Sequence, residues 1–349
     1  MSSNLFPWQA NSWQQILSMR ERMPHAILLY GMEGIGKTLF AEHLAKSLLC
    51  ESPSNQGHAC EACLSCNWVS QYSHPDYRRI HPGLLDEEDE LNSEVGEGAG
   101  EGELEKKSAK ASKAPSKEIL IEQVRAIAQF MNMSTHRSGT RVLLLYPAEA
   151  LNMHAANALL KSLEEPNPNT VFILVSHRLD RLLPTILSRC HKIALSVPTS
   201  EQAYAWLVQQ GLPDAQAWLA QQGGAPLLAL AAAQSEDAQD LEAFLQAIGQ
   251  PSTEMSLKLA EKMHKLELPK IVACLQRWLY DIFSYKQCQK IRYYPKYTAE
   301  IRHLAGRASN EELMRLQKNV LDRQAIAAHP LSARLFLEDM LLEYSSVFK

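Results

Sequence analysis

The feature that most constrains this chain is the octapeptide Gly31-Met-Glu-Gly-Ile-Gly-Lys37-Thr38. It lies between an apolar run, AILLY at 26–30, and a stretch from Thr38 to Leu49 in which Phe40, Leu44 and Leu48 recur every fourth residue. A short run without polar residues predicts a strand buried on both faces, as in a parallel sheet. The four-residue spacing, with Ala41 and Ala45 beside it, predicts an amphipathic helix. Between the two, Gly31, Gly34 and Gly36 let backbone N–H groups turn inward around an anion. A helix N-terminus adds positive potential, Lys37 is spaced to reach the β- and γ-phosphates of a nucleotide, and Thr38 is spaced to hold Mg²⁺. The plain alternative is a glycine turn that packs and binds nothing.

Further strands are expected at Tyr77–His81, Val142–Tyr146, Val171–Val175 and Lys192–Leu195. Leu151, Ala155, Ala158, Leu159 and Leu163 make a helix stripe between two of them. Strands alternating with helices predict an α/β domain with a parallel sheet over residues 1–196. Strand signals then cease. Residues 197–248 read as helical, with GGAP at 223–226 as a break, and Gly249-Gln250-Pro251 reads as a boundary before an all-helical 251–349. A chain of 349 residues has room for these separate cores. Residues 85–117 interrupt the pattern: Asp86 to Glu105 is acidic, Lys106 to Lys117 basic, and apolar residues are nearly absent. That composition predicts a disordered insertion. Ser116 is then expected to cap the helix that carries Ile121, Val124 and Ile127 on one face.

A phosphate loop of this kind hydrolyses nucleotide only with an acidic residue at the tip of a second strand. RVLLLY ends instead in Tyr146-Pro147, and neither residue can coordinate Mg²⁺ or activate water. Glu149 is expected beyond the strand, on the wrong side of the turn. The residues therefore allow ATP or ADP with Mg²⁺ to bind and argue against efficient hydrolysis.

Net charge is −4, so nothing global marks a nucleic-acid binder. No stretch reaches the roughly 20 apolar residues of a membrane span, and the polar, aromatic start MSSNLFPWQANSWQQ does not read as a signal peptide. A cytoplasmic location is expected, where cysteines are metal ligands or buried thiols before they are disulfides. Cys50, Cys60, Cys63 and Cys66 form C-x9-C-x2-C-x2-C, a spacing that suits four thiolates on one structural zinc ion. His58 reads as a loop residue beside them, and Cys190, Cys274 and Cys288 as buried thiols.

In this order the motifs resemble the clamp-loader branch of the AAA+ family. The points of likeness are Pro7-Trp8, HAILLYGMEGIGKT at 25–38, the four-cysteine insert, HPDY at 74–77, NALLKSLEEP at 157–166 and LPTILSRC at 183–190. The resemblance implies an AAA+ domain over 1–196, a small helical lid over 197–248 and a collar over 251–349. It implies a five-subunit ring containing tau/gamma motor copies and a delta subunit, which opens a sliding clamp and places it on primer–template DNA as part of a polymerase holoenzyme. It gives Arg189 of Ser188-Arg189-Cys190 a role in trans, on ATP held by a neighbouring motor subunit. A motor subunit of the branch carries Asp-Glu where this chain has Tyr146-Pro147, and a lid arginine where this chain has Gly224-Ala225-Pro226-Leu227. The resemblance therefore favours a non-motor position. The alternatives are a self-sufficient motor-type ATPase and a zinc-bearing nucleic-acid module on an inert scaffold.

Overall fold

The computed structural model describes residues 5–83, 85, 116–131, 135–136, 139–328 and 332–348. The charged insertion expected at 85–117 lies almost wholly outside the described residues. The chain divides into two compact units, 1–197 and 198–349.

In the first unit, β1 (Ala26–Tyr30), β2 (Tyr77–Ile80), β3 (Arg141–Leu145), β4 (Thr170–Ser176) and β5 (His191–Ala194) form one parallel sheet in the order β2-β3-β4-β1-β5. The three central strands, β3, β4 and β1, carry unbroken apolar runs, Val142–Leu145, Val171–Val175 and Ala26–Leu29, because both of their faces are covered. One face, with Ile27, Leu29, Val142, Leu144 and Ile173, packs on α1 (Ala10–Ser18) and α2 (Lys37–Leu49) through Trp13, Phe40 and Leu44. The alternate residues Leu28, Leu143, Leu145 and Phe172 pack on α4 (Ile121–Met131), α5 (Met153–Glu164) and α6 (Pro184–Leu187). Each such Leu or Ile, fully buried, contributes about 1.5–3 kcal/mol. A short α3 (Leu64–Ser70) follows the cysteine insert. Residue pairing sets the sheet's C-terminal edge: Tyr30 lies opposite Ser176 and Ala194, and Leu145 opposite Leu174. The chain ends of β3, β4 and β1 thus emerge side by side.

Ser116 is not the cap of α4. Its hydroxyl closes a turn on Glu118, accepting that residue's N–H at 3.0 Å and donating to its carbonyl at 2.9 Å. The helix begins at Ile121, and Gln123 Oε1 accepts the Leu120 N–H at 2.9 Å.

The second unit is helical. Its first three helices, α7 (Ser200–Gln209), α8 (Ala215–Gln221) and α9 (Pro226–Gln234), share a small core of Ala203, Leu207, Ala215, Leu219 and Ala229. Six more, α10 (Ala238–Ile248), α11 (Thr253–Met263), α12 (Leu268–Cys288), α13 (Thr298–Arg307), α14 (Asn310–Ile326) and α15 (Ala333–Val347), enclose a larger one around Phe244, Trp278, Ile282 and Leu316. In it, Trp278 Nε1 donates to Tyr344 Oη at 2.9 Å, and that hydroxyl donates to the Ile248 carbonyl at 2.7 Å. The Asp281 carboxylate is buried and accepts from the N–H groups of Arg292, Tyr293 and Tyr294. Gly249–Pro251 falls between α10 and α11. Cys190 and Cys274 are buried as expected, but Cys288 is exposed. It is the last residue of α12, where residues 287–290 all lie open to solvent.

Candidate functional site

The glycine loop leaves β1 at Gly31 and enters α2 at Lys37. Gly34 and Gly36 hold φ of +75° and +83°, the left-handed region open to glycine. Space makes the same demand at Gly36, where a Cβ would lie 2.3 Å from Phe6 Cε2. The leading segment fastens the loop from outside. Trp8 Nε1 donates to the Ile35 carbonyl, and Gln9 Nε2 donates to the carbonyls of Ile35 and Gly36, all at 3.0 Å. Phe6 and Trp8 stack with ring centres 4.8 Å apart.

Lys37 is buried, and its ammonium donates to the Met32 carbonyl at 2.6 Å. Burial pushes the Lys37 ammonium down to about 8, while Glu33 and Glu149 pull the other way. Thr38 follows, half-buried. These residues fit a nucleotide's phosphates: a left-handed glycine loop, an N-terminal helix turn and a cation held close over the loop.

Past β3 the expected acids are absent. Tyr146 turns its ring toward His81, 5.4 Å away, and its peptide bond to Pro147 is cis. A 3₁₀ turn, Ala148–Ala150, then carries Glu149. The sequence reading places Glu149 on the wrong side of that turn, and the structure corrects it. Glu149 Oε1 accepts the His177 N–H at 2.9 Å, at the end of β4. From there its charge acts on both Lys37 and His177. The turn brings the chain back along the C-terminal edge toward β4, the neighbour of β1. The imidazole of His177, held below its ordinary value by burial and by Lys37, completes the group.

The four cysteines converge. Their sulfurs all lie within 4.8 Å of one another, and Cys60 and Cys66 Sγ are 3.9 Å apart. A tetrahedron of sulfurs about 2.3 Å from one ion spaces them about 3.8 Å apart. Backbone N–H groups already point at the sulfurs: Cys60 N at Cys50 Sγ (3.2 Å), Cys63 N at Cys60 Sγ (3.4 Å) and Cys66 N at Cys63 Sγ (3.4 Å). Donation from Ala62 and Cys63 brings the Cys60 thiol down to about 6, whereas burial pushes Cys66 and Cys50 up. Four cysteines this close could hold a metal ion. His58 stays outside the set: its Nδ1 lies 3.0 Å from His43 Nε2, and its ring stacks on Trp13.

Arg189 is half-buried just before β5. Its guanidinium is paired with Glu164 at the end of α5 and donates to the Thr185 carbonyl at 3.0 Å. The sequence reading did not foresee Glu164 as its partner, although the acid belongs to the NALLKSLEEP motif.

Residues 8–199 match the family model described as DNA polymerase III, delta subunit. Along nearly the whole chain, the sequence is 32% identical to DNA polymerase III subunit delta' of Pseudomonas aeruginosa, covering 99% of this chain and 98% of that one. The chain belongs to the delta' family. The gamma subunit of Buchnera aphidicola is 31% identical over 186 residues, 53% of this chain and 42% of that protein. Among solved structures, a DNA polymerase III gamma subunit-related protein of Thermotoga maritima is weakly similar, with 18% identity, 97% and 99% coverage and a TM-score of 0.39. Within the delta' family the present chain combines a complete glycine motif with a β3 end that carries no acidic pair.

Proposed function

We infer that this chain serves as the delta' subunit of a clamp loader, a non-motor member of the ring whose own nucleotide site does not turn over. The observation that carries this reading is the pairing of an intact Gly31–Thr38 loop with Tyr146-Pro147 at the tip of β3. Binding is served by Gly31, Gly34, Gly36, Lys37 and Thr38. Neither Tyr146 nor Pro147 offers a carboxylate to coordinate Mg²⁺ or activate an attacking water. In the assembly, Arg189 would reach across a seam to the γ-phosphate of ATP on a tau/gamma subunit. A cation so placed is worth about 10³–10⁵ in rate in the best cases. Glu164 and the Thr185 carbonyl hold the guanidinium until then. The last helices, 251–349, would join the collar with the motor subunits and delta. Zinc, held by Cys50, Cys60, Cys63 and Cys66, would be structural: four thiolates close the coordination sphere and leave no position for a substrate. The sliding clamp and primer–template DNA are the assembly's substrates rather than partners of this chain alone.

The test is ATP turnover by a reconstituted loader. Arg189→Ala is expected to leave assembly intact and lower turnover by about tenfold or more. Lys37→Ala in this subunit is expected to leave turnover within about twofold, because no chemistry occurs at its own site. Unchanged turnover with Arg189→Ala would remove that residue from the mechanism.

A further inference from the structure

Glu149 has an unusual position for a residue with no part in the reading above. One carboxylate oxygen is fixed by the His177 N–H at 2.9 Å. The other, Oε2, is shielded from solvent and has no hydrogen-bond partner among the described residues. His177 Nδ1 is shielded and unpartnered in the same way. Lys37, 2% exposed, has the Met32 carbonyl as its hydrogen-bond acceptor. The lysine and Glu149 feel each other's charge, yet no carboxylate among the described residues forms an ion pair with Lys37 within 4 Å.

A buried carboxylate oxygen without a partner is costly, because it has given up water for nothing. A buried ammonium with a single acceptor is similarly underserved. Direct contact between the two would relieve both, and they do not make it. A ligand that presents anionic oxygens to Lys37 and a hard cation to Glu149 relieves both at once. Mg²⁺ suits this arrangement: it keeps most of its waters and is bound through one or two carboxylates together with substrate phosphates. The turn that carries Glu149 sits at the C-terminal edge of the sheet, where ligands of open α/β sheets bind.

We propose that Glu149 is the metal-binding carboxylate of this chain, holding the Mg²⁺ of a nucleoside polyphosphate in the Gly31–Thr38 loop in place of the acids absent at Tyr146-Pro147. The proposal rests on reading that loop as a phosphate cradle. Thr38 would supply a hydroxyl to the same ion. Entry of the phosphates draws the Lys37 ammonium off the Met32 carbonyl. Glu149 contributes metal affinity and no water activation, since its second oxygen is committed to His177. Metal-dependent binding without turnover follows.

Calorimetric titration of the full chain with ATP, in Mg²⁺ and in EDTA, tests this. Wild type is expected to bind at least about tenfold more tightly with Mg²⁺. Glu149→Gln keeps an oxygen for the His177 N–H. It is expected to match wild type in EDTA and to lose the Mg²⁺ enhancement. An enhancement of wild-type size in Glu149→Gln overturns the proposal and leaves the cradle standing. Tighter binding by that variant in both media also overturns it and makes Glu149 a counter-ion to Lys37. If wild type and Lys37→Ala bind ATP equally poorly in both media, the cradle itself falls, and the proposal with it. Melting curves of both variants verify the fold, and Mn²⁺ bound with ATP, counted by electron paramagnetic resonance, gives a second readout.

Discussion

His43 faces inward from α2, its Nε2 3.0 Å from His58 Nδ1 and its ring packed against Trp13 at 4.8 Å. Burial first, and His58 next, push its imidazole from the ordinary 6.5 down to about 4. The unfolded chain takes up a proton on this residue below 6.5, and the folded chain only near 4. Stability is therefore full above the first value and is lost as acid is added through the interval between them. The whole shift corresponds to roughly 3 kcal/mol, an upper bound for one residue. Denaturant midpoints at pH 7.5 and 4.5 should separate, and His43→Asn should bring them closer together. An undiminished separation would assign the acid sensitivity elsewhere. In the sequence His43 is one more polar position in a helical stripe. Its meeting with His58 needs the whole cysteine insert to fold back over α2, which no local spacing expresses.

The cysteine insert is an element with little apolar interior. Within it the chain is fastened by Trp13 Nε1 donating to the Gln56 carbonyl at 3.1 Å and by Arg20 Nη1 donating to the Gly57 carbonyl at 3.2 Å. Cys63 also caps α3, its sulfur accepting the Cys66 N–H. A metal ion held there would be coupled to the fold, as it is wherever a small site lacks a core. Elemental analysis should find about one zinc ion per chain. Replacing Cys60 and Cys63 together with Ser should abolish it and lower Tm by several degrees, about 2–4 °C for each kcal/mol lost in a unit of this size. A fully stable native chain without metal would eliminate the site. The convergence of the four cysteines was readable in advance because they lie close in sequence. The three central strands were readable for a similar reason: burial on both faces leaves an unbroken apolar run. Glu149 was not. It meets His177 across 28 positions, through the register of β3 on β4, and a linear motif search sees only an acid past a proline.

For the molecule as a whole, the chain alone should show no DNA-stimulated ATP hydrolysis, while the loader containing it should. Brisk turnover by the pure chain would return it to the motor class. The compact units divide between 197 and 198. What pattern could not supply was the fastening inside each unit. The Asp281 carboxylate gathering three successive N–H groups is one case. The leading residues are another, with a bearing on how the protein is prepared. The Phe6 ring fills the space that a Cβ on Gly36 would need, and Trp8 and Gln9 clasp the carbonyls beside it. A preparation trimmed after Gln9 would retain every letter of the glycine motif while losing the wedge and clasp that shape it. Assays on such a fragment would describe a slackened version of the site.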